Sequence, residues 1–252
     1  MEDREKEEWA ARLAAALEGS VGDASGGAAE AAVAFSGGLD SSVVAFLVAR
    51  RLKDTTLYTV GMPGAKDISR SREAAGALGL AARHVIMELE ENEVLDAASD
   101  VRRLIPGCGP VETSFLVPSY LVFLRCREKA VFTGDGADEL FGGYHRYLSM
   151  DEGALASSLR SDTELLMKVG IARNRLLASS AGKDLRTPFL SENVVALAQR
   201  IPAGMKVSGG VRKLVLRMAA GVWGIPPAIC NAPKTAAQYG SGVAKVLKKY
   251  DA

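Results

Sequence analysis

The sequence has few of the residues that mark several common protein classes. Only three of its 252 residues are cysteines and two are histidines, and no two cysteines have CxxC spacing. Zinc-site spacing is therefore absent, and so is the cysteine density of a disulfide framework. Sparse, scattered cysteines are typical of buried thiols in a reducing cytosol.

Charge imbalance and long apolar runs are missing as well. The net charge is +1 and the pI is near 7.7, so bulk electrostatics favour neither a nucleic acid nor a membrane as a partner. The longest uncharged run, Met218–Pro233, is interrupted by glycines and prolines and cannot form a spanning helix. The charged run Glu2–Glu8 is the opposite of a signal peptide. We therefore expect a soluble, cytoplasmic protein without a nucleic-acid partner.

The first 150 residues alternate apolar, β-branched segments with helical patterns. The predicted strands are Ala31–Phe35, Thr56–Gly61, His84–Glu88 and Ala130–Gly134. The predicted helices are Ser42–Leu52, Asp67–Leu78, Asn92–Leu104 and Glu112–Lys129, the last with Pro118 as a kink or restart. Such alternation predicts an α/β fold with a parallel sheet and right-handed crossovers, in which the first and fourth strands can be neighbours.

The two ends of the chain differ from this alternating part. Trp9, Leu13 and Leu17 form one apolar stripe on a short helix that Gly19 would end, and Val21–Ala29 has the composition of a connector. After about residue 150, the pattern predicts helices and no strand. The predicted organisation is thus an N-terminal helix and connector (1–29), an α/β core (30–150) and a helical C-terminal part (151–252).

The loop after the first strand has the composition of a phosphate site. It contains the three serines and two glycines Ser36, Gly37, Gly38, Ser41 and Ser42, placed between a strand and a helix N-terminus. The glycines let the backbone approach a ligand closely, and the hydroxyls and backbone N–H groups donate toward one point. The lysine of a Walker loop is missing, and Asp40 lies in this loop instead. A carboxylate beside a phosphate requires a cation between them, and Mg²⁺ fits.

The loop after the fourth strand, Gly134–Tyr144, is acidic. Asp135, Asp138 and Glu139 place three carboxylates in five residues, which repel one another unless a cation or protons intervene. If the first and fourth strands are neighbours, Asp40 and Asp138 converge on one metal. Ligands of such sheets bind where loops leave the carboxyl ends of the strands.

These segments together resemble a known family. Ser36–Ser42 is similar to the PP-loop of ATP pyrophosphatases, and Gly134–Tyr144 to the GxGADELFGGY segment of asparagine synthetases. Further similar stretches cover most of residues 30–243: Tyr58–Asp67, Arg173-Asn174, Asp184–Leu190, Ile201-Pro202 with Lys206, Lys213 with Leu216-Arg217, and Pro233–Gly242. The resemblance implies a twisted parallel sheet of the PP-loop, or adenine nucleotide α-hydrolase, type with helices on both faces.

The resemblance also implies roles for individual residues. Pyrophosphate and Mg²⁺ would be held by Ser36, Gly37, Gly38, Asp40, Ser41 and Ser42, with Asp138 sharing the metal. The backbone of Ala34, Val60, Thr133 and Gly134 would border the AMP part of ATP. Asp135 takes a position where many relatives have glutamate and would assist proton transfer from the amine. Lys234 would stabilise charge on the transferring phosphoryl group.

The implied activity is adenylation of a carboxylate by Mg-ATP, followed by displacement of AMP by ammonia. Aspartate is the expected acceptor. Ser191 and Asp184 depart from the family's acceptor-side pattern, and Asp135 departs from the tyrosine of the β-lactam-forming branch. The family's glutaminase nucleophile is a cysteine directly after the initiator Met, where this sequence has Glu2. A separate glutaminase subunit is therefore expected as a partner if free ammonia is not the nitrogen source.

Other interpretations of the sequence stay open at this stage. The chain could amidate or modify another acceptor, including a tRNA, or could be a nucleotide-binding partner subunit without turnover. His84 and Cys108 are interpreted as structural, and the loop residue His145 as a candidate for substrate binding. Lys206, Lys213 and Arg217 are expected to form surface or interhelix ion pairs, with Lys213 a candidate to face phosphate.

Overall fold

A computed structural model describes residues 3–232 and 237–250, except for the side chains of residues 237 and 238. Five parallel strands form a sheet in the order β3-β2-β1-β4-β5. The strands are β1 (Glu30–Ala34), β2 (Asp54–Gly61), β3 (His84–Glu88), β4 (Ala130–Phe132) and β5 (Asp184–Arg186). A small antiparallel pair, β6 (Val207–Ser208) and β7 (Val211–Arg212), lies outside this sheet.

Helices connect the strands and form most of the chain after β4. Through the region of the sheet these are α1 (Asp3–Ala24), α2 (Leu39–Arg51), α3 (Lys66–Ala77), α4 (Glu91–Leu104), α5 (Pro110–Arg125), α6 (Ala137–Phe141), α7 (Glu152–Leu165), α8 (Ile171–Ser180) and α9 (Glu192–Arg200). The shorter C-terminal helices are α10 (Ala203–Lys206), α11 (Leu214–Val222), α12 (Pro227–Cys230), α13 (Ala237–Gly240) and α14 (Val243–Tyr250).

Both faces of the sheet are covered, which confirms the predicted fold class. Successive residues of a strand point to opposite faces, and β1 shows this directly. Ala31 and Val33 pack into an apolar cluster with α1, α2, α9 and α11, whereas Ala32 packs into a second cluster with α4, α5, α8 and α14. Strands that are buried on both faces explain why the predicted strands were near-continuous apolar runs.

The predicted strands and helices of the first 150 residues all occur, with ends shifted by a few residues. α5 runs through Pro118 without a break. The prediction of no strand after residue 150 was wrong, because β5 pairs in parallel with β4 and completes the sheet. Three residues are too few to show a strand period, so only this pairing defines β5.

The N-terminal helix is longer than expected. It continues through Gly19 to Ala24, so the predicted stop at Gly19 and the connector starting at Val21 were both wrong. Ala10, Leu13, Ala14, Leu17 and Val21 are buried against the body of the protein. This burial stabilises the helix by more than the roughly 1 kcal/mol that an interior glycine costs. The division of the chain at residues 29 and 150 stays a prediction.

Candidate active site

The two predicted loops leave adjacent strands at one edge of the sheet. β1 pairs in parallel with β4, with Ala32 opposite Val131 and Val33 opposite Phe132. The carboxyl ends of both strands therefore meet, and the loops that follow them lie side by side. Gly134 lies directly against Asp40, because a β carbon added at Gly134 would be 3.0 Å from the Asp40 Cβ. Any larger residue at position 134 would push the loops apart.

The serine-rich loop is organised by its own hydroxyls. The Ser36 backbone N–H donates to Ser41 Oγ at 3.3 Å, and Ser41 Oγ donates to the Gly38 carbonyl at 3.2 Å. α2 begins at the next residue, Leu39, so its N-terminal N–H groups and positive dipole end face this loop. Ser42 Oγ is fully buried and has no hydrogen-bond partner in the described part of the chain. A buried hydroxyl without a partner at a helix N-terminus fits an anionic ligand.

Helix α3 supports the back of this loop. Gly37 has φ +70°, and a β carbon there would be 2.7 Å from the Arg70 carbonyl oxygen and from Ser71 Cα. The Arg70 side chain donates to the Ser36 carbonyl at 3.0 Å and forms an ion pair with Asp67 at 2.6 Å. The sequence analysis did not identify Arg70 as a residue of this site. The one sequence feature that could have indicated its ion pair is its spacing of one helical turn from Asp67.

The three carboxylates of the acidic loop have separate environments. Asp138 forms an ion pair, Asp135 accepts hydrogen bonds from neighbouring side chains, and Glu139 is buried and accepts a hydrogen bond from the Tyr144 hydroxyl. Burial raises the pKa of Glu139 to about 7. The expected repulsion is thus relieved by a different partner for each carboxylate.

Lys213 joins the two loops. Its ammonium lies 2.6 Å from both carboxylate oxygens of Asp40 and 2.6 Å from Asp138 Oδ1. The Lys213 side chain is 4% exposed, and those of Asp40 and Asp138 are each 18% exposed. The two carboxylates therefore converge on one point, and a cation occupies it. Of the two expected kinds of ion pair, the interhelix one is confirmed, because Lys213 at the start of α11 pairs with Asp40 of α2 and Asp138 of α6, and the surface one was wrong.

The backbone at Lys213 is held in an unusual conformation. It has φ +56°, and among the described residues it is the only one other than glycine with a positive φ. This conformation costs roughly 1–2 kcal/mol for a residue with a β carbon. The residue immediately precedes α11, and the ion pairs to both loops hold it there. Strain of this kind is typical of functional positions.

Asp135 is positioned by two hydrogen bonds. The Thr133 hydroxyl donates to Asp135 Oδ2 at 2.8 Å, and the Asn174 amide donates to the same oxygen at 3.1 Å. Thr133 follows β4, and its backbone N–H donates to the Arg186 carbonyl of β5 at 3.0 Å. The strand β5, which the sequence did not predict, therefore helps to hold Thr133, whose hydroxyl donates to Asp135.

The residues expected to border AMP lie at the same edge. Ala34 ends β1, and Val60 lies one residue before the end of β2. Both pack with Met62 in the apolar cluster on the α5 side of the sheet. Thr133 and Gly134 follow the adjacent strand, β4. Apolar side chains beside exposed strand ends suit a flat, partly apolar ring.

Lys234 lies outside the described residues, so its predicted role stays a prediction. The described residues on both sides of 233–236 are held by contacts with distant parts of the chain. The Arg217 guanidinium donates to the Cys230 carbonyl, and the Met62 backbone N–H donates to the Ser241 carbonyl at 2.8 Å. Asp67 packs against Gly240 so closely that a β carbon there would overlap its carboxylate.

The residues given weaker roles have clear locations. His84 Nε2 lies 2.8 Å from the Thr59 hydroxyl, and its ring packs edge-on against Phe35. His145 is exposed, and Cys108 is half-buried near the Thr113 hydroxyl. The ion pairs expected for Lys206 and Arg217 were wrong. Lys206 is buried, and Arg217 donates to the carbonyls of Arg212 and Cys230.

The site has the groups that bound Mg²⁺ requires. Magnesium in nucleotide enzymes is held by one or two carboxylates together with phosphate oxygens and water. Asp40 and Asp138 supply two converging carboxylates beside the phosphate-type loop. No group of three or more His, Cys, Asp or Glu side chains within residues 3–232 and 237–250 could hold a metal alone. Ligand phosphates would therefore complete the coordination.

The parallel sheet and its covering helices define an α/β protein with a fold of the PP-loop type. The sequence model of one family, described as asparagine synthase, matches residues 12–157 and 148–251. The chain belongs to the asparagine synthase family. The match covers nearly its whole length.

Individual relatives agree with this assignment. A Methanocaldococcus jannaschii protein, provisionally named glutamine-hydrolysing asparagine synthetase 1, is 33% identical over 99% of this chain and 53% of its own length. Asparagine synthetase B of Escherichia coli is 30% identical over 73% of this chain and 37% of its own. Asparagine synthetase domain-containing protein 1 of Mus musculus is 35% identical over 56% of this chain. The chain spans about half the length of the first of these relatives and less of the others.

No helix in the described part of the chain is long and apolar enough to cross a membrane.

Proposed function

We propose that this chain is an ATP-dependent ligase that forms an amide from a carboxylate, with aspartate as acceptor and ammonia as nitrogen source. The main support is the convergence of Asp40 and Asp138 beside a serine- and glycine-rich loop at the carboxyl edge of a parallel sheet. The names of the relatives, asparagine synthetases, support the same class of reaction. The chemistry would be adenylation of the carboxylate with release of pyrophosphate, followed by displacement of AMP.

Each part of the site has a task in this proposal. Ser36, Gly38, Ser41 and Ser42, with the N-terminus of α2, would bind phosphate oxygens. Lys213 would add a positive charge at the same place, because its ammonium already lies between the two loops. Fixed donors and charges that need no rearrangement stabilise a phosphoryl transition state most effectively. Mg²⁺ held by Asp40 and Asp138 would neutralise charge on the phosphates and on the departing pyrophosphate.

Asp135 is the candidate to take a proton from the incoming amine. Thr133 and Asn174 both donate to its Oδ2, and these hydrogen bonds help to fix the orientation of its carboxylate. A general base must be held at a fixed position to accept a proton from a reacting group. Lys234 would provide charge stabilisation from the segment between Cys230 and Ser241.

The cysteines support ammonia, rather than glutamine, as the direct nitrogen source. Glutamine hydrolysis by a cysteine nucleophile requires an accessible thiolate. Cys126 and Cys230 are buried, and burial raises the pKa of both thiols. Cys108 is half-buried and lies away from the two loops, in the cluster with α4 and α5. A separate glutaminase subunit would supply ammonia in a glutamine-dependent reaction.

The decisive experiment identifies the products of ATP. The purified chain is incubated with Mg-ATP, aspartate and ammonium, and AMP, pyrophosphate and asparagine are quantified. We expect all three in equal amounts, and none without aspartate. ADP and orthophosphate as primary products would contradict the proposed cleavage between the α and β phosphates. A panel of other carboxylates, tested in parallel, separates the class of reaction from the choice of acceptor.

A further inference from the structure

A cavity lies beside α6, the short helix of the acidic loop. It has a volume of about 380 Å³, is lined by residues of α6, α7, α9 and α10, and opens to solvent on one side. About half of its lining residues are apolar, and of these Leu140, Leu159, Ile201 and Ala203 are buried. The other half are polar or charged: Glu139, Arg160, Thr163, Glu164, Gln199 and Lys206. None of the residues to which we assign nucleotide, metal or acceptor chemistry lines it. The cavity shares α6 with that site, because Asp138 and Glu139 are consecutive in this helix.

The unusual feature of the cavity is Lys206. This lysine is 6% exposed, and its ammonium forms no hydrogen bond or ion pair with any residue in the ranges that the structure describes. Burial of an ammonium without a partner is costly, so buried charges in proteins are generally paired. Burial lowers the pKa of Lys206 to about 8, so the side chain still carries its proton at neutral pH. The cavity therefore contains a buried positive charge that forms no direct ion pair with any described residue.

The other charged groups around the cavity limit what could bind. Glu139 lies inside, and its carboxyl group is hydrogen-bonded to the Tyr144 hydroxyl. Arg160 and Glu164 are exposed at the rim, where their opposite charges offset each other. One buried cation beside a carboxyl group favours a singly charged anion over phosphate or another multiply charged group. The apolar half of the lining favours a ligand with a short hydrocarbon part.

We propose that this cavity binds a small organic monocarboxylate, whose anionic group pairs with the Lys206 ammonium. The hydrocarbon part of the ligand would lie against Leu140, Leu159 and Ile201. Because Glu139 and Leu140 belong to the same short helix as Asp138, an occupied cavity would stabilise the helix that positions Asp138. The proposal is independent of which carboxylate the enzyme amidates.

Butyrate and butyramide form a suitable pair of probes, because they have nearly the same shape and differ in charge. Binding of each to the full chain is measured by ligand-observed NMR. We expect butyrate to bind and butyramide not to bind. The Lys206→Met variant, which keeps an unbranched side chain without the charge, should weaken butyrate binding by about tenfold or more.

Two control variants locate the binding. Lys168→Met removes an exposed lysine of the segment between α7 and α8, and it should leave butyrate affinity unchanged. Asp40→Asn alters the nucleotide site and should also leave butyrate affinity unchanged. If Asp40→Asn abolishes butyrate binding while Lys206→Met does not, the ligand occupies the other site and the proposal is wrong. Equal binding of butyrate and butyramide, or no binding of butyrate to the wild type, would also overturn it.

A measurement on the wild-type chain covers the case in which Lys206→Met does not fold. The ¹³Cε resonance of Lys206 reports protonation of its amine. A bound carboxylate favours the ammonium form, so butyrate should move the titration midpoint of Lys206 to higher pH. Butyramide should leave the midpoint in place. A midpoint that butyrate does not move would show that Lys206 has only a packing role.

Discussion

At the scale of single residues, the site depends on one cluster of three charges. Asp40, Asp138 and Lys213 come from three separate parts of the chain and meet within hydrogen-bond distance. Among the described residues that pair with them, Lys213 supplies the positive charge that faces these two carboxylates. Binding of Mg²⁺ with its phosphates would change this balance without moving the loops far, because their backbones are fixed by β1 and β4.

We predict that Asp40→Asn and Asp138→Asn each raise the Mg²⁺ concentration needed for half-maximal turnover. The rise should be about tenfold or more, because each variant removes a ligand charge and keeps the side-chain shape. The double variant should cost less than the sum of the two, since both residues act through one ion. A magnesium titration of turnover measures all three. Unchanged magnesium dependence in either single variant would refute the shared metal.

A second prediction concerns Lys213→Met in the absence of metal. The variant removes the Lys213 ion pairs from two neighbouring carboxylates, and breaking such a pair destabilises proteins by about 3–5 kcal/mol when it is buried. The left-handed backbone at position 213 has the same conformational cost in the variant and the wild type, so this cost does not contribute to the difference in the free energy of unfolding. Urea unfolding in EDTA and in Mg²⁺ measures the effect. Mg²⁺ should restore more stability to Lys213→Met than it adds to the wild type.

The matched control for this comparison is Lys245→Met, which removes an exposed lysine of α14. It should change the free energy of unfolding by less than about 0.5 kcal/mol. Equal stabilities of Lys213→Met and Lys245→Met would show that the Lys213 ion pairs are not formed in solution.

Lys234 supports a prediction from the sequence alone. If it stabilises charge on the transferring phosphoryl group, Lys234→Ala should lower kcat by about 10²-fold or more and leave ATP binding largely intact. Lys234→Arg should not restore kcat, because a planar guanidinium cannot take the place of a compact ammonium. Steady-state kinetics and equilibrium ATP binding separate the two effects. A near-normal kcat in Lys234→Ala would remove this residue from the mechanism.

At the scale of elements, the two glycines of the first loop have different tasks. Gly37 has a positive φ and lies against the backbone of α3, so a β carbon there must distort the loop. Gly38 has φ −77°, and a β carbon there would meet only side-chain atoms, the nearest being Ser36 Oγ at 3.5 Å. Gly37 is therefore required for the packing of the loop against α3, whereas a methyl group at Gly38 would fit the folded chain.

We predict that Gly37→Ala destabilises the chain, by more than the roughly 1–2 kcal/mol of the left-handed conformation alone. Gly38→Ala should keep wild-type stability and weaken ATP binding, because its methyl group would occupy space beside the phosphates. Thermal unfolding and equilibrium ATP binding are measured on both variants. Unaltered ATP affinity in Gly38→Ala would mean that the phosphates do not approach this residue.

At the scale of the whole molecule, Lys206 makes stability depend on pH. Burial lowers its pKa from 10.5 in the unfolded chain to about 8 in the folded state. The cost of burying the ammonium is therefore fully present below pH 8 and is lost as the pH rises from 8 to 10.5, where folding releases a proton. We predict that Lys206→Met is more stable than the wild type at pH 7, by roughly 3 kcal/mol at most. The difference should shrink between pH 8 and pH 10.5. Denaturant unfolding across that range, in butyrate-free buffer, measures it, and a constant difference would contradict the shift.

Much of the fold followed from local patterns. The first four strands are apolar runs bounded by polar or glycine-rich segments, and their order along the chain required a parallel sheet. β5 could not be predicted in this way, because Asp184–Arg186 has no period-2 pattern and pairs only once β4 is in place. The length of α1 was missed for a related reason. Its glycines lower the local helix propensity, but the packing of α1 against α11 and α9 stabilises the helix by more than the glycines destabilise it.

The sequence by itself determined which functional groups the two loops contain. Hydroxyls, glycines and carboxylates at a given spacing are properties of the sequence and do not depend on how the chain folds. Their meeting point was decided by the tertiary structure, since only the β1–β4 pairing brings Asp40 to Asp138 across about 100 residues of chain. The same holds for Lys213 and Lys206. The sequence predicted surface or interhelix ion pairs for both, and it could not predict their burial. The burial of a lysine depends on the residues that pack around it, and no local sequence pattern indicates which residues these are.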